Sequence, residues 1–339
     1  GAGNIVFDGT ADAKIDDDNG GLRVSNLVKY GTGTVDIRNL GGSGDHDHVG
    51  ENVIRDGILH ISQQTNLGNN TLSVPGGFGY GVTFADETAK TRAPKLRVDA
   101  TGGDVNLTPT RFAFAGVAGG VVGTMRVDGA NTVFTEAGND PAGPPPYGHG
   151  YTSDSDQNVL LKDGIGTLAI NFDSDDDTFN GTAGLSVCEL ALGLDRTLDF
   201  AAGSGLALNI AAGELVFDNS GNPRALLTVN GLGGAGDLTL DTLNLRVNDT
   251  VAGLPAFTGT LTTDGAVGFT AGNTTINSDQ SATMTGQVII GNGATLTIGH
   301  AGALGSNGNY TTNGTYVCAD GTLALGGTLT GGDLNESIT

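Results

Sequence analysis

The sequence has 339 residues, 59 of them glycine, and a formal charge of −22 from 15 Lys plus Arg against 37 Asp plus Glu. Glycine without a Gly-X-Y period excludes collagen, and so acidic a surface repels phosphate backbones and anionic membranes, so nucleic acid is not an expected partner. No apolar run nears the ~20 residues that a membrane-spanning helix needs, so no membrane insertion is expected of this chain.

Helix formers such as Lys, Arg, Glu and Met are scarce, and Gly, Asn, Asp and Thr punctuate short apolar stretches throughout. That composition predicts an all-β chain of many short strands and tight turns. The first strand is predicted in "NIVFD" (4–8), followed by an acidic turn, "IDDDNGG", with Asp16 and Asp18. "LVKYGTGTVDI" (27–37) then gives two strands around a glycine turn, and "GSGDHDHVGE" (42–51) reads as a solvated loop carrying His46 and His48. "VIRDGILHI" (53–61) repeats the strand–turn–strand form. Residues 69–158 form an irregular β-rich region that fits the repeated phrases least well. Within it, 136–158 reads as a protruding loop, since Pro144 to Pro146 offer no amide donors to a central strand.

From residue 159 onward the phrases return. "LLKDGIGTLAI" (160–170) aligns with 27–37, placing Lys162 on Lys29, Gly164 on Gly31, Gly166 on Gly33 and Thr167 on Thr34. A looser copy is "TVNGLGGAGDLTL" (228–240). A second phrase, V-x-x-(x)-G-x-L-x-L, recurs in "VIIGNGATLTIG" (288–299) and "VCADGTLALGG" (317–327), and without its glycine in "VCELALG" (187–193). Alternation in T-L-A-I and T-L-A-L buries one face of a short strand, and glycine supplies the positive φ that the turns need. One such unit cannot bury its apolar face alone, but stacked units can, so 1–68 and 159–339 are predicted to be β-solenoid repeats of one elongated rod. Gly293 to Gly321 sets a period of about 28 residues, within the solenoid range.

"KDGIGTLAI" followed by "DTFNGTAGLSVCELALG", and later "IGHAGALGSNGNYTTNGTYVCADGTLALGG", resembles the autotransporter passenger-associated β-strand repeat. Thr178, Phe179 and Gly181 fit the middle turn of that repeat, and Ala303, Leu304 and Gly305 fit its closing turn. The resemblance implies a right-handed parallel β-helix exported to the surface of a Gram-negative-type bacterium. No C-terminal membrane barrel accompanies it here, so it implies either a cleaved passenger or a free surface or filament protein.

Candidate chemistry is sparse. Asp173, Asp175 and Asp177, with Asp176 between them, have the alternating carboxylates of a calcium loop. They lack the sixth-position glycine and twelfth-position glutamate of an EF-hand, and a turn between strands favours Asp in any case. "SDSDQN", with Asp154, Asp156 and Asn158, is a weaker version of the same signal. Cys188 and Cys318 take equivalent places in two copies of one phrase, so a rung count puts them too far apart to bond; buried thiols or cross-links between molecules are the alternatives. Eight Asn-x-Ser/Thr sequons, including Asn106, Asn180 and Asn313, prove no glycosylation in a chain so rich in Asn and Thr.

A polysaccharide-cutting enzyme has the carboxylates it needs here, but the chain has no tryptophan and few aromatics to grip a sugar, and no catalytic motif. The expected function is therefore non-enzymatic: an extracellular structural or adhesive protein of the bacterial surface whose copies join end to end through exposed strand edges. The alternative is a monomeric adhesin or fibre-type module that contacts a surface glycan or receptor through loop 136–158.

Overall fold

The computed structural model describes residues 5–6, 27–38, 52–67, 81–86, 91–137 (without 109, 117 and 118), 150–172, 194–195, 205–306 (without 223 and 292), 313–330 (without 328), 334 and 338. The chain is all-β, as its composition predicts, and among the described residues the one helical segment is a single 3₁₀ turn, Gln64–Leu67. It divides into two units, Gly1–Asp177 with Leu198–Ser204, and Thr178–Thr197 with Gly205–Thr339.

The first unit contains three stacks of parallel strands. One runs Leu27–Lys29, Asn52–Ile54, Gly81–Asp86, Arg111–Gly116, Gly150–Ser153. The second runs Ile5–Val6, Thr34–Asp36, Ile58–Ile61, Lys95–Asp99, Val122–Asp128, Val159–Asp163. The third is Val105–Asn106, Thr132–Glu136, Thr167–Asn171. From Gly81 to Asn171 the chain visits the first, second and third stacks in turn, three times over. Region 69–158, whose sequence fits the repeated phrases least well, thus supplies strands to all three stacks. Its alternation is what counts: in Lys95–Asp99 and Thr132–Glu136 every second side chain is buried.

Aromatic and aliphatic ladders fill the interior of this unit. Val82, Phe112 and Tyr151 stand in register, as do Phe84, Phe114 and Ser153. The Phe84–Phe114 and Phe112–Tyr151 ring centroids are each 5.1 Å apart. Tyr151 explains why Gly150–Ser153 is a strand where the sequence suggests loop. Its ring is fully buried, and its hydroxyl lies 3.0 Å from Thr135 Oγ1. Pro144 to Pro146 lie outside the described residues.

In the second unit the longest parallel stack is Leu194–Asp195, Ala225–Val229, Leu243–Asn248, Val267–Ala271, Val288–Ile290, Thr315–Val317. Shorter parallel stacks are Ala207–Ile210 with Leu232–Gly234; Glu214–Asp218, Asp237–Asp241 and Leu261–Thr262; and Asn273–Ile276, Thr295–Ile298 and Thr322–Leu325. Here Leu227, Leu245, Val267 and Val288 are buried in one aliphatic row and Leu215, Leu238 and Leu261 in another, with Phe217, Phe257 and Phe269 buried as well. Val288 lies beside Thr315, 27 residues on, so the two late copies of the second phrase do occupy successive levels of one stack.

The first phrase behaves differently. "LVKYGTGTVDI" turns the chain from Leu27–Lys29 in the first stack into Thr34–Asp36 in the second. "LLKDGIGTLAI" turns it from Val159–Asp163 in the second stack into Thr167–Asn171 in the third. One phrase therefore serves two different corners. At both, its lysine folds inward and is buried. Lys29 Nζ donates to the carbonyls of Tyr30 at 2.7 Å, Asp56 at 3.2 Å and Gly31; Lys162 Nζ donates to those of Asp163 at 3.1 Å and Gly164 at 3.0 Å. Carbonyls turned inward at a tight corner need donors, and a lysine two residues before the glycine supplies them. Gly31 and Gly164 take φ of 73° and 80°, the left-handed conformation that the corner demands.

Candidate functional site on the charged sheet face and the outermost strands

Two regions of the described structure stand apart from simple core formation. The first is the outer face of the second stack in the first unit. In Ile58–Ile61 and Lys95–Asp99, Leu59, Ile61, Leu96 and Val98 point into the core, which sends His60, Lys95, Arg97 and Asp99 to the opposite face. Parallel pairing then lines up Asp36, His60, Arg97, Arg126 and Asp163 across five strands, with Asp99 beside Asp128 two residues further on.

In-register pairing places like charges side by side: Arg97 against Arg126, Asp99 against Asp128. Diagonal and lateral ion pairs compensate. Arg97 and Arg126 both bind Asp128 through Nε, Arg126 at 2.8 Å, and Arg126 Nη1 reaches Asp163 at 2.8 Å. Arg38 joins Asp36 at 2.7 Å to Asp99 at 2.8 Å, and Lys95 Nζ lies 3.6 Å from Asp163. The pairing leaves its mark on the carboxyls. Hydrogen bonds from Arg38 hold Asp36 below the usual carboxylate range. At Asp99 burial pushes the other way, but hydrogen bonds from Thr101 and Arg38 outweigh it and bring the pKa to about 2.

His60 is the group left over. It is only 2% exposed, its Nδ1 lies 3.3 Å from Asp36 Oδ2, and its Nε2 is buried with no hydrogen-bond partner. Burial, reinforced by Arg38 and Arg97, lowers its pKa below the ordinary histidine value, against the pull of Asp36 and Asp99. Sequence reasoning does not single out His60. The one signal was its place at an outward position of "VIRDGILHI", and its charged neighbours emerge only once the register is known.

The second region comprises the outermost described strands. In the second unit Thr322–Leu325 is the last strand of its stack, pairing on one side with Thr295–Ile298. Ile298 is fully buried, whereas its register partner Leu325 is 38% exposed; Leu296 and Leu323 repeat the contrast more weakly. Ile338, bridged to Thr315, is 45% exposed. In the first unit Val28 and Tyr30, on and just after the outermost strand Leu27–Lys29, are likewise exposed, and Tyr30 lies under the Arg55 guanidinium at 5.3 Å. Four of the five exposed large apolar side chains among the described residues therefore lie at outermost strands; Ile165, at a corner, is the fifth.

Of the residues that the sequence marks for chemistry, Asp173, Asp175, Asp176 and Asp177, with Asp16, Asp18, His46, His48 and Cys188, lie outside the described residues. "SDSDQN" is inside, and its residues build a turn. The Asn158 side chain is buried, accepts from Val121 N at 2.8 Å, and donates to Phe114 O, Ser153 Oγ and Asp154 Oδ1 at 2.9, 2.8 and 3.1 Å. Asp154 Oδ1 also accepts from Gly116 N at 3.0 Å. Among the described residues, no three His, Cys, Asp or Glu side chains are grouped as a metal site requires.

The rung count applied to the cysteines needs correction. Cys318 is disulfide-bonded, and the chain's other cysteine is Cys188. Counting rungs along the sequence presumes that each residue advances the stack by a fixed amount, and the two corners served by one phrase show that sequence likeness does not fix position.

Comparison with family models, curated proteins and solved structures finds no match for this chain.

Proposed function

We propose that the chain is a structural or adhesive protein of the bacterial cell surface, each unit a right-handed parallel β-helix like those of autotransporter passengers, and that copies join end to end. The observation that carries the reading is the exposure of the last described strand of its stack in the second unit, Thr322–Leu325. Leu325 occupies the register position at which Ile298 is wholly enclosed, yet stands 38% exposed. Covering it, and pairing the edge of Thr322–Leu325 that has no partner strand among the described residues, calls for another strand of the same kind. A second copy presents one at Leu27–Lys29, with Val28 in it and Tyr30 just after it exposed. Contact between such edges is heterologous, so it propagates into a filament unless rotation closes it.

Negative-stain electron microscopy of the purified chain tests this directly. Long uniform fibres are expected, and Leu325→Asp, which places a charge on the proposed contact, is expected to abolish them without unfolding either unit. A chain that stays monomeric at high concentration would remove the assembly reading and move the search for function to its loops.

A further inference from the structure

The charged groups nearest His60 balance one another around a neutral imidazole. From Thr34–Asp36 and the turn after it come Asp36 and Arg38; from Lys95–Asp99 come Arg97 and Asp99; the neighbouring 3₁₀ turn Gln64–Leu67 brings no ionisable side chain. Each charged neighbour is already engaged. Asp36 takes Arg38 Nε and Nη2 at 2.9 and 2.7 Å, and Asp99 takes Arg38 Nη1 at 2.8 Å and the Thr101 hydroxyl at 2.5 Å. Arg97 is bound to Asp128. Two carboxylates, Asp36 and Asp99, and two guanidiniums, Arg38 and Arg97, sum to zero around the ring. A proton on His60 would leave one uncompensated positive charge, almost without water, between two guanidiniums, with a new Nε2–H facing no acceptor.

We propose that His60 is an acid-release latch for the second stack of the first unit: its protonation frees Ile58–Ile61 from Thr34–Asp36 on one side and Lys95–Asp99 on the other. A base that protonates less readily in the folded chain than in the unfolded one stabilises the fold fully only above the unfolded pKa, about 6.5. As pH falls below that value the contribution is lost, until the folded-state imidazole itself takes the proton. The latch is therefore closed at neutral pH and opens as pH drops through 6 toward 5, above the range in which the ladder carboxylates protonate. It is independent of the end-to-end assembly reading.

Hydrogen-exchange mass spectrometry of the intact chain at pH 7.5 and 5.0, corrected for intrinsic exchange rates, reads the effect. Peptides covering 52–61 and 95–99 are expected to lose protection by up to about 30-fold at pH 5.0, the limit set by a histidine that stays neutral when folded. Peptides covering 225–248 should be unchanged. His60→Gln, which carries no titratable proton, should remove the pH step. Should that variant fail to fold, the His60 ring titrated by NMR in the unmodified chain decides, with a midpoint expected below 6.5. Equal protection at both pH values, a folded His60→Gln chain that keeps the step, or a His60 midpoint at or above 6.5 would overturn the proposal.

Discussion

At the scale of single residues, the corner lysines carry the most stringent demand. The fully buried Lys162 ammonium donates to the carbonyls of Asp163 and Gly164 at its corner, so its value lies in its donors as much as in its stem. Lys162→Met keeps the stem and removes the donors, and should cost about 1–3 kcal/mol in a denaturant titration. The corner glycines give a graded comparison. Gly164 has φ of +80°, and a Cβ placed there would sit 2.1 Å from the Val127 carbonyl oxygen; Gly221 has φ of +86° but nothing within 4 Å. Gly221→Ala should cost about 1 kcal/mol, the penalty of the left-handed conformation alone, and Gly164→Ala several times that, because the Val127 backbone must move. Equal losses would mean that the corner yields more freely than its packing indicates. The sequence marks these glycines as turns. It does not reveal the inward fold of the lysines, because a charged residue in a Gly-rich turn looks solvated until the turn's carbonyls are seen to point inward.

At the scale of strands, the charged face sets register. A one-residue slip of Lys95–Asp99 would send Leu96 and Val98 outward and Arg97 inward, so core and ladder enforce the same alignment. Asp128→Asn leaves Arg97 and Arg126 side by side without the carboxylate they share. It should lower stability by about 1 kcal/mol, more at low salt than at high salt, as denaturant midpoints in the two buffers would report. The ladder also predicts a second acid transition beneath the His60 one. Asp99 protonates near pH 2 when folded and near 3.9 when unfolded, so its contribution is complete above about pH 4 and disappears between there and pH 2. Circular dichroism followed downward from pH 7 should show two separate losses. Strand alternation in L-R-V-D (96–99) was legible in the sequence. The ladder was not, since Asp36, His60, Arg97, Arg126 and Asp163 are separated by 24, 37, 29 and 37 residues, and no single period brings them together.

At the scale of the whole molecule, the disulfide at Cys318 follows directly on Thr315–Val317, which pairs with Val288–Ile290. Reduction, or Cys318→Ser, should lower the thermal stability of the second unit by about 2–4 kcal/mol and leave the first unit's transition unchanged. Scanning calorimetry with and without reductant would show which transition moves. All-β class and a period of about 28 residues near the C-terminus, against the observed step of 27 from Val288 to Thr315, were readable from composition and phrase spacing; the disulfide was not, since spacing counts residues and not height in the stack. The two corners built from one phrase carry a consequence for what the chain can tolerate. A corner that closes through its own lysine and glycine asks nothing of the length of chain that precedes it. Ladder neighbours are accordingly 18 residues apart from Ala225 to Leu243 and 39 apart from Arg111 to Gly150. Foreign peptides grafted between such corners should lengthen one level while the levels above and below keep their pairing, which makes the scaffold a host for displayed sequences of widely differing size.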